Sequence, residues 1–279
     1  MHILTIDLEE WFHCDLITGT GKWDSYERRL EAGTDRILEG LAARGQRATF
    51  FCLGWCVRRF PEVIRKIHAA GHGLGCHSDM HEMVFCMDPA AFREDTRRAL
   101  GALADVTGEH VRAYRAPAFS ITQDARWAFE ILIEEGIEVD CSVFPARRDY
   151  GGFPSFGVAR PVRLNVGGHT LKEFPINLLR AGPVNLVYSG GGYFRLFPYA
   201  LIRHWTRRAD YVMAYFHPRD FDARQPVLKH LPLHRRFKSY YGLSGAFPKF
   251  LRWMDDFAFI SLEEAEAQVD WEGAGEVSV

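Results

Sequence analysis

The chain has 279 residues, 47% of them hydrophobic, enough to bury one large core and carry a complete site. Its 34 Lys and Arg stand against 36 Asp and Glu, so no broad field draws it toward nucleic acid or an anionic membrane surface. Seven Trp and an aromatic share of 14% supply core material, and flat rings with a polar edge also suit stacking on sugar faces.

From Met1 to Asp7 the chain enters a strand-like segment without the basic start, apolar stretch and small-residue site of a secretory leader. No apolar run reaches membrane-spanning length. Cys14, Cys52, Cys56, Cys76, Cys86 and Cys141 are scattered through apolar segments and read as small core residues, not a disulfide framework. Cys52 and Cys56 lack a second Cys pair to complete a tetrahedral zinc site. A reduced, cytoplasmic protein is the expectation.

In chain order, strands are expected at 2–8, 47–53, 73–76, 111–115, 138–142, 170–174, 211–216 and 258–261. Helices are expected at 34–44, 61–70, 89–106, 123–135 and 198–208, several opening at Pro and ending at Gly. The Gly- and Pro-rich stretches 150–168 and 181–192 read as long loops, candidate substrate walls. Neither repeat nor linker divides the chain, which reads as one domain over 1–279, its core motifs within 1–222 and 223–279 completing the barrel.

Such alternation favours a parallel sheet, and a closed β/α barrel places its chemistry at the carboxyl ends of the strands. The polar residues gather there: Asp7 and Glu9 close the first strand, His77 and His81 follow the third, Arg115 closes the fourth, Asp140 lies in the fifth and His217 ends a late one. Side chains alternate along a strand, so Thr5, Asp7 and Glu9 share one face while Leu4, Ile6 and Leu8 pack against outer helices. A solvated carboxylate or a helix cap is the competing role for such acids. His77 and His81 are four apart, and one helical turn would bring both imidazoles onto a face where they hold one metal ion. His68/His72 and His230/His234 share that spacing, but Gly71 and Pro232 interrupt them. Pro117 and Pro218 fix the chain direction just after Arg115 and His217.

These stations resemble the polysaccharide deacetylase family, the chitooligosaccharide deacetylase-like members of carbohydrate esterase family four. His77, Ser78 and His81 match its histidine motif, Arg115 and Pro117 its Arg-x-Pro motif, and Phe216 and His217 its late aromatic-plus-His motif. The phrases at 5–12, 115–121 and 190–195 are similar to the branch found with exopolysaccharide assembly systems. The similarity runs over 1–145 and 169–222 and is loose in the tail.

The resemblance implies a distorted (β/α) barrel of seven strands, incompletely closed, and removal of the N-acetyl group from an amino sugar in a bacterial polysaccharide, glycolipid or precursor. It implies one divalent ion, zinc, and a carbohydrate partner. Neither nucleic acid nor a membrane span is expected, only peripheral contact with a lipid-linked sugar. The family's first motif ends in two adjacent aspartates, whereas here Leu8 separates Asp7 from Glu9 and Glu10. Face alternation favours Asp7 as base and Glu9 as metal ligand with His77 and His81; Glu10 is the alternative ligand. Arg115 would orient Asp7, and His217 would protonate the leaving amine. Backbone donors near Phe119 would share the oxyanion. Trp11, Phe12, Phe119 and Tyr193 suit a sugar platform or the core, and Arg195 joins the substrate contacts. Hydrolysis of a linear or cyclic non-sugar amide, or an inactive carbohydrate-binding role, are the competing functions.

Overall fold

The computed structural model describes residues 1–13, 20–148, 151–181, 184–229 and 231–279. Its strands are β1 (His2–Leu8), β2 (Thr49–Cys52), β3 (Gly73–Cys76), β4 (Ala113–Tyr114), β5 (Val139–Asp140), β6 (Val162–Val166), β7 (His169–Glu173), β8 (Leu179–Ala181), β9 (Val184–Leu186), β10 (Val212–Phe216) and β11 (Glu276–Ser278). Its helices are α1 (Leu30–Ala42), α2 (Gly54–Arg59), α3 (Pro61–Ala69), α4 (Pro89–Thr107), α5 (Trp127–Glu134), α6 (Gly191–Leu196), α7 (Tyr199–Arg208), α8 (Leu233–Tyr240), α9 (Leu243–Asp256) and α10 (Leu262–Gln268).

The alternation of β1 sorts its side chains into two cores. Leu4, Ile6 and Leu8 join Ile37, Leu41 and Ile64 of the surrounding helices. Ile3 joins Phe51, Val139 and Met213 inside the barrel. Both sets are buried, which fixes the register, since a one-residue slip would exchange them. Helix α4 shows how local chemistry sets boundaries: Asp88 accepts the Ala91 N–H at 2.9 Å, Pro89 opens the first turn, and Gly108 closes it at φ 75°.

One nine-stranded sheet runs β10-β1-β2-β3-β4-β5-β7-β6-β11. The first seven in that order are all parallel, while β6 runs antiparallel to β7 and β11 parallels β6. The seven parallel strands of the expected barrel are present, and β6 and β11 extend them. Among the described residues the hydrogen-bond ladder does not close. Side chains span the seam beside β10 instead: Asn177 Oδ1 accepts the Met213 N–H at 2.9 Å and lies 3.0 Å from Ser189 Oγ. The Tyr215 N–H donates to the Ser189 carbonyl at 3.1 Å.

Several element expectations need correction. Segment 258–261 is no strand; it meets β1 through the single Ile3–Ile260 bridge, because Ser261 already caps α10 through reciprocal bonds with Glu264. The stretch 150–168 contains β6, whose buried Val162, Leu164 and Val166 alternate with half-buried Arg163 and Asn165. Glycine content hid that alternation: Gly167 and Gly168, both at positive φ, form the turn to β7. The stretch 181–192 holds β9 and the start of α6, β9 being paired locally with β8. Among the described residues Cys52, Cys56, Cys76, Cys86 and Cys141 are free thiols, only Cys86 being exposed; Cys14 lies outside them. No described helix is long and apolar enough to cross a membrane.

Asn177→Ala removes the acceptor of the Met213 amide at the seam and should destabilise the fold by about 1–3 kcal/mol, read by urea unfolding. An unchanged midpoint would show that the seam holds without this bond.

Candidate active site

The site is built on Arg115, a fully buried guanidinium at the end of β4. Its Nη1 donates to Thr5 Oγ1 at 2.7 Å and to Asp7 Oδ1 at 2.8 Å, and its Nε to the Cys141 carbonyl at 3.3 Å. The charge sits 4.3 Å over the Phe51 ring. Burial opposes this charge, yet Asp7 beside it holds the Arg115 pKa above its ordinary value. Below lies a brace: Ser142 Oγ accepts the Ala116 N–H at 2.8 Å and donates to Asp140 at 2.6 Å. Burial first, then the Asp140 charge, push the Glu173 carboxyl well above the usual range, and burial raises Asp140 as well.

Glu9 follows Asp7 on the same face. Donor atoms of Glu9, His77 and His81 all lie within 4.8 Å of one another, with Glu9 Oε2 2.7 Å from His81 Nε2. Burial opposes the Glu9 charge, but His81, His217 and His77 hold its pKa well below the carboxylate range. Glu10, the alternative ligand, turns away: its Oε1 accepts the N–H groups of Arg29 and Leu30 at 2.8 and 3.0 Å, capping α1. His77 donates Nδ1–H to the Arg115 carbonyl at 2.7 Å, which leaves Nε2 as the free lone pair.

The two histidines do not share a helix face, contrary to the spacing argument. Residues 77–81 form a loop after β3, with Ser78 and His81 at φ 64° and 54°. Such backbone is unfavourable for L-residues and persists only where surroundings enforce it. Here Asp95 accepts the N–H groups of Asp79 and Met80 at 2.7 and 3.1 Å, Ser78 Oγ accepts that of His81 at 3.1 Å, and Asp79 is ion-paired with Arg58 and Arg98. Gly54 N–H donates to the Ser78 carbonyl at 2.9 Å, and a Cβ at Gly54 would stand 2.3 Å from Asp79 Oδ1.

His217 faces the acids from the end of β10. Its Nε2 lies 3.4 Å from Glu9 and 3.7 Å from Asp7, while Nδ1 meets Asp220 Oδ2 at 3.1 Å. Burial alone would lower its pKa, but the Asp220 hydrogen bond and the charges of Glu9, Asp220 and Asp7 raise it to about 9. Asp220 is held ionised, at about 2, against burial by Arg195 and His217. Arg195 bonds Asp220 directly and also the carbonyls of Lys238, Ser239 and Tyr241, so its charge is spent inside the wall while its edge still lines the cavity. Sequence reading missed Asp220, although an acid three residues after a His across a Pro turn is a recognisable signal.

A cavity of about 320 Å³ is lined by Asp7, Glu9, His77, His81, Phe119 and His217 among others. Phe119 is buried at φ 55°, edge-on to Tyr215 at 5.2 Å. Trp11 does not reach this space; it is 3% exposed and donates to the Glu27 carbonyl at 2.9 Å, packed on Phe12 and Tyr26. Phe12 is likewise core. Tyr193 is half-exposed and lines a neighbouring cavity.

Residues 23–132 match the family described as polysaccharide deacetylase, and residues 141–267 match the domain of unknown function DUF3473. Over that first segment the chain is similar to polysaccharide deacetylases. It is 25% identical to a peptidoglycan-N-acetylglucosamine deacetylase of Bacillus cereus over 147 residues, 52% of this chain and 54% of that one. It is 36% identical to a chitooligosaccharide deacetylase of Rhizobium leguminosarum over 87 residues, 30% and 40% of the two chains. The matched part thus spans about half or less of those relatives. The fold superposes on that of a candidate polysaccharide deacetylase from Mycobacterium smegmatis with TM-score 0.65 at 20% identity, covering 99% of this chain and 92% of that one. In the nine-stranded sheet, β1 precedes the segment matched to the deacetylase family and β7 and β10 follow it, so Asp7, Glu9 and His217 enter from outside that segment.

In the metal-free protein the His217 imidazole should titrate near pH 9 by proton NMR, and Asp220→Asn should lower that midpoint by at least about one unit. Because the folded pKa lies above the ordinary 6.5, the stability His217 contributes is full below about pH 6.5 and lost as pH rises through about 9. Asp220→Asn should flatten that window; an unchanged titration would remove Asp220 from this role.

Proposed function

We propose that the protein hydrolyses the acetamide of an N-acetylated amino sugar in a bacterial polysaccharide, glycolipid or precursor. The observation that carries this is one cavity holding a Glu9–His77–His81 donor set, an Arg115-paired Asp7 and an Asp220-backed His217. One carboxylate and two imidazoles, with the His77 tautomer set by the Arg115 carbonyl, suit a divalent ion with open positions, zinc being the natural candidate. Such an ion, when bound, supplies Lewis acidity to the acetamide oxygen and to the attacking water.

The protein's own groups divide the proton work. Asp7, oriented by Arg115, takes a proton from the attacking water. His217, kept protonated by Asp220, gives its Nε2 proton to the amine nitrogen as the carbon–nitrogen bond breaks. Without that proton the leaving group would be an amide anion, so the acetyl carbon would return to reactants. Phe119 and Tyr215 wall the site beside Arg148, restricting how a sugar can enter. A purely carbohydrate-binding role would not need a histidine held protonated beside an oriented carboxylate and a donor set for an ion.

The test combines elemental analysis after dialysis with acetate release from a panel of acetamido sugars. His77→Ala and His81→Ala should lose both the ion and turnover. Glu9→Gln should bind the ion weakly and recover partly when it is in excess, while Glu10→Gln should retain it. Asp7→Asn and His217→Ala should keep the ion and lose at least about a hundredfold in rate. Full occupancy in His77→Ala, or normal turnover in Asp7→Asn, would overturn the assignment.

A further inference from the structure

The near balance of 34 basic and 36 acidic residues hides a segregation along the chain. Residues 223–254 carry seven Lys and Arg and neither Asp nor Glu, which leaves 27 basic against 36 acidic residues elsewhere. Within that stretch lies α8, and it is an unusual helix. A two-turn helix is marginal by itself and normally persists by burying an apolar face, yet α8 has no buried residue. It is held by its backbone and one hydroxyl instead. Arg195 donates to the carbonyls of Lys238 and Ser239 at 2.7 and 3.2 Å, and Tyr240 Oη accepts the Leu228 N–H at 2.9 Å.

The large apolar groups of α8 face outward. Leu233 is 80% exposed and Phe237 52%, and their spacing of four sets them on one face. Tyr241 continues that face at 48%, its ring 4.7 Å from the Phe237 ring, and exposed Leu196 of α6 lines the same recess as Phe237 and Tyr241. Single exposed apolar residues are ordinary, whereas a contiguous group of them marks a surface that meets something. At 3.6 residues per turn Arg236 and His234 flank Leu233 and Phe237 on either side, and exposed Lys229 is tied to the helix through the Leu228–Tyr240 bond. Apolar groups at the centre with cations at the rim match the layering of a lipid surface, where side chains enter the acyl boundary and Lys and Arg reach the headgroup phosphates. A two-fold contact between copies of the chain would set the basic stretch against itself, which repels.

We infer that α8 and the segment leading into it dock the protein on an anionic lipid surface, with Leu233, Phe237 and Tyr241 entering the headgroup boundary. His234, Arg235 and Ser239 of the same helix line the cavity that holds Asp7, Glu9 and His217, so docking brings that cavity to the bilayer. On the deacetylase reading, on which this clause alone rests, the acetamido sugar is then one carried at the lipid surface. The docking itself is testable without turnover.

The experiment is flotation of the full chain with vesicles of phosphatidylcholine alone and of phosphatidylcholine mixed with an equal part of phosphatidylglycerol. Binding should be about tenfold or more stronger on the anionic vesicles and should weaken as salt rises. Leu233→Ser/Phe237→Ser should lower it about tenfold or more by removing apolar burial. Lys229→Gln/Arg236→Gln should lower it by about the same factor by removing two cations, folding being checked in each by circular dichroism. Arg65→Gln/Lys66→Gln, an equal loss of charge at exposed positions of α3, should bind as the wild type does. Absence of vesicle binding, indifference to lipid charge, undiminished binding in either of the first two variants, or an equal loss in the α3 variant overturns the docking surface. A wild type that ignores vesicles but dimerises in sedimentation velocity, with Leu233→Ser/Phe237→Ser monomeric, also overturns it and assigns the face to a second copy. Acetate release from soluble acetamido sugars is scored separately: vesicle binding without release keeps the docking surface and overturns the deacetylase reading, and release without vesicle binding does the reverse.

Discussion

A guanidinium with no exposed surface, held inside a barrel by one carboxylate, is the constraint around which this molecule is organised. Arg115 cannot discharge by losing its proton, and an unpaired charge at that depth would cost several kcal/mol. Asp7 must therefore stay in place beside it, and the Thr5 hydroxyl, the Cys141 carbonyl and the Phe51 face take up the remaining demands of the charge. The Asp140 carboxylate and Ser142 hold the turn after Arg115 from below. The same turn positions the carbonyl that sets the His77 tautomer. The candidate base and the candidate ligand set are thus tied to one buried residue.

Two imidazoles in one cavity are driven apart by their surroundings. His77, buried and donating to a carbonyl, has its pKa lowered chiefly by burial, which suits a neutral ligand. His217 is also buried, but Asp220 and the facing acids outweigh that penalty and keep it charged. The Arg195–Asp220–His217 chain supplies the bias. Arg195 itself is anchored by the carbonyls of residues 238, 239 and 241, so the same contacts that hold α8 beside the cavity also hold the Asp220–His217 pair.

Much of the centre was legible along the chain. Asp7 and Glu9 could be placed on one face of β1 because a strand's period of two leaves no choice once Leu4, Ile6 and Leu8 must face the helices. Gly73–Cys76 and the ends carrying Arg115 and His217 follow from strand-length apolar runs stopped by Pro or by polar residues. Glu10 was resolved only by contact with residues 29 and 30, nineteen and more positions away and invisible to any local pattern.

The composition and the period-two and helical patterns determined an α/β chain whose reactive groups gather at strand ends, since burial of alternating apolar faces is a local property of sequence. Only the tertiary structure decided that His77 and His81 meet through a left-handed loop and not a helix, because the forces that impose it come from Asp95, Arg58, Arg98 and Gly54 on other elements. Likewise Trp11 became core while Phe119 came to line the cavity, since what a side chain faces depends on which distant segments pack around it.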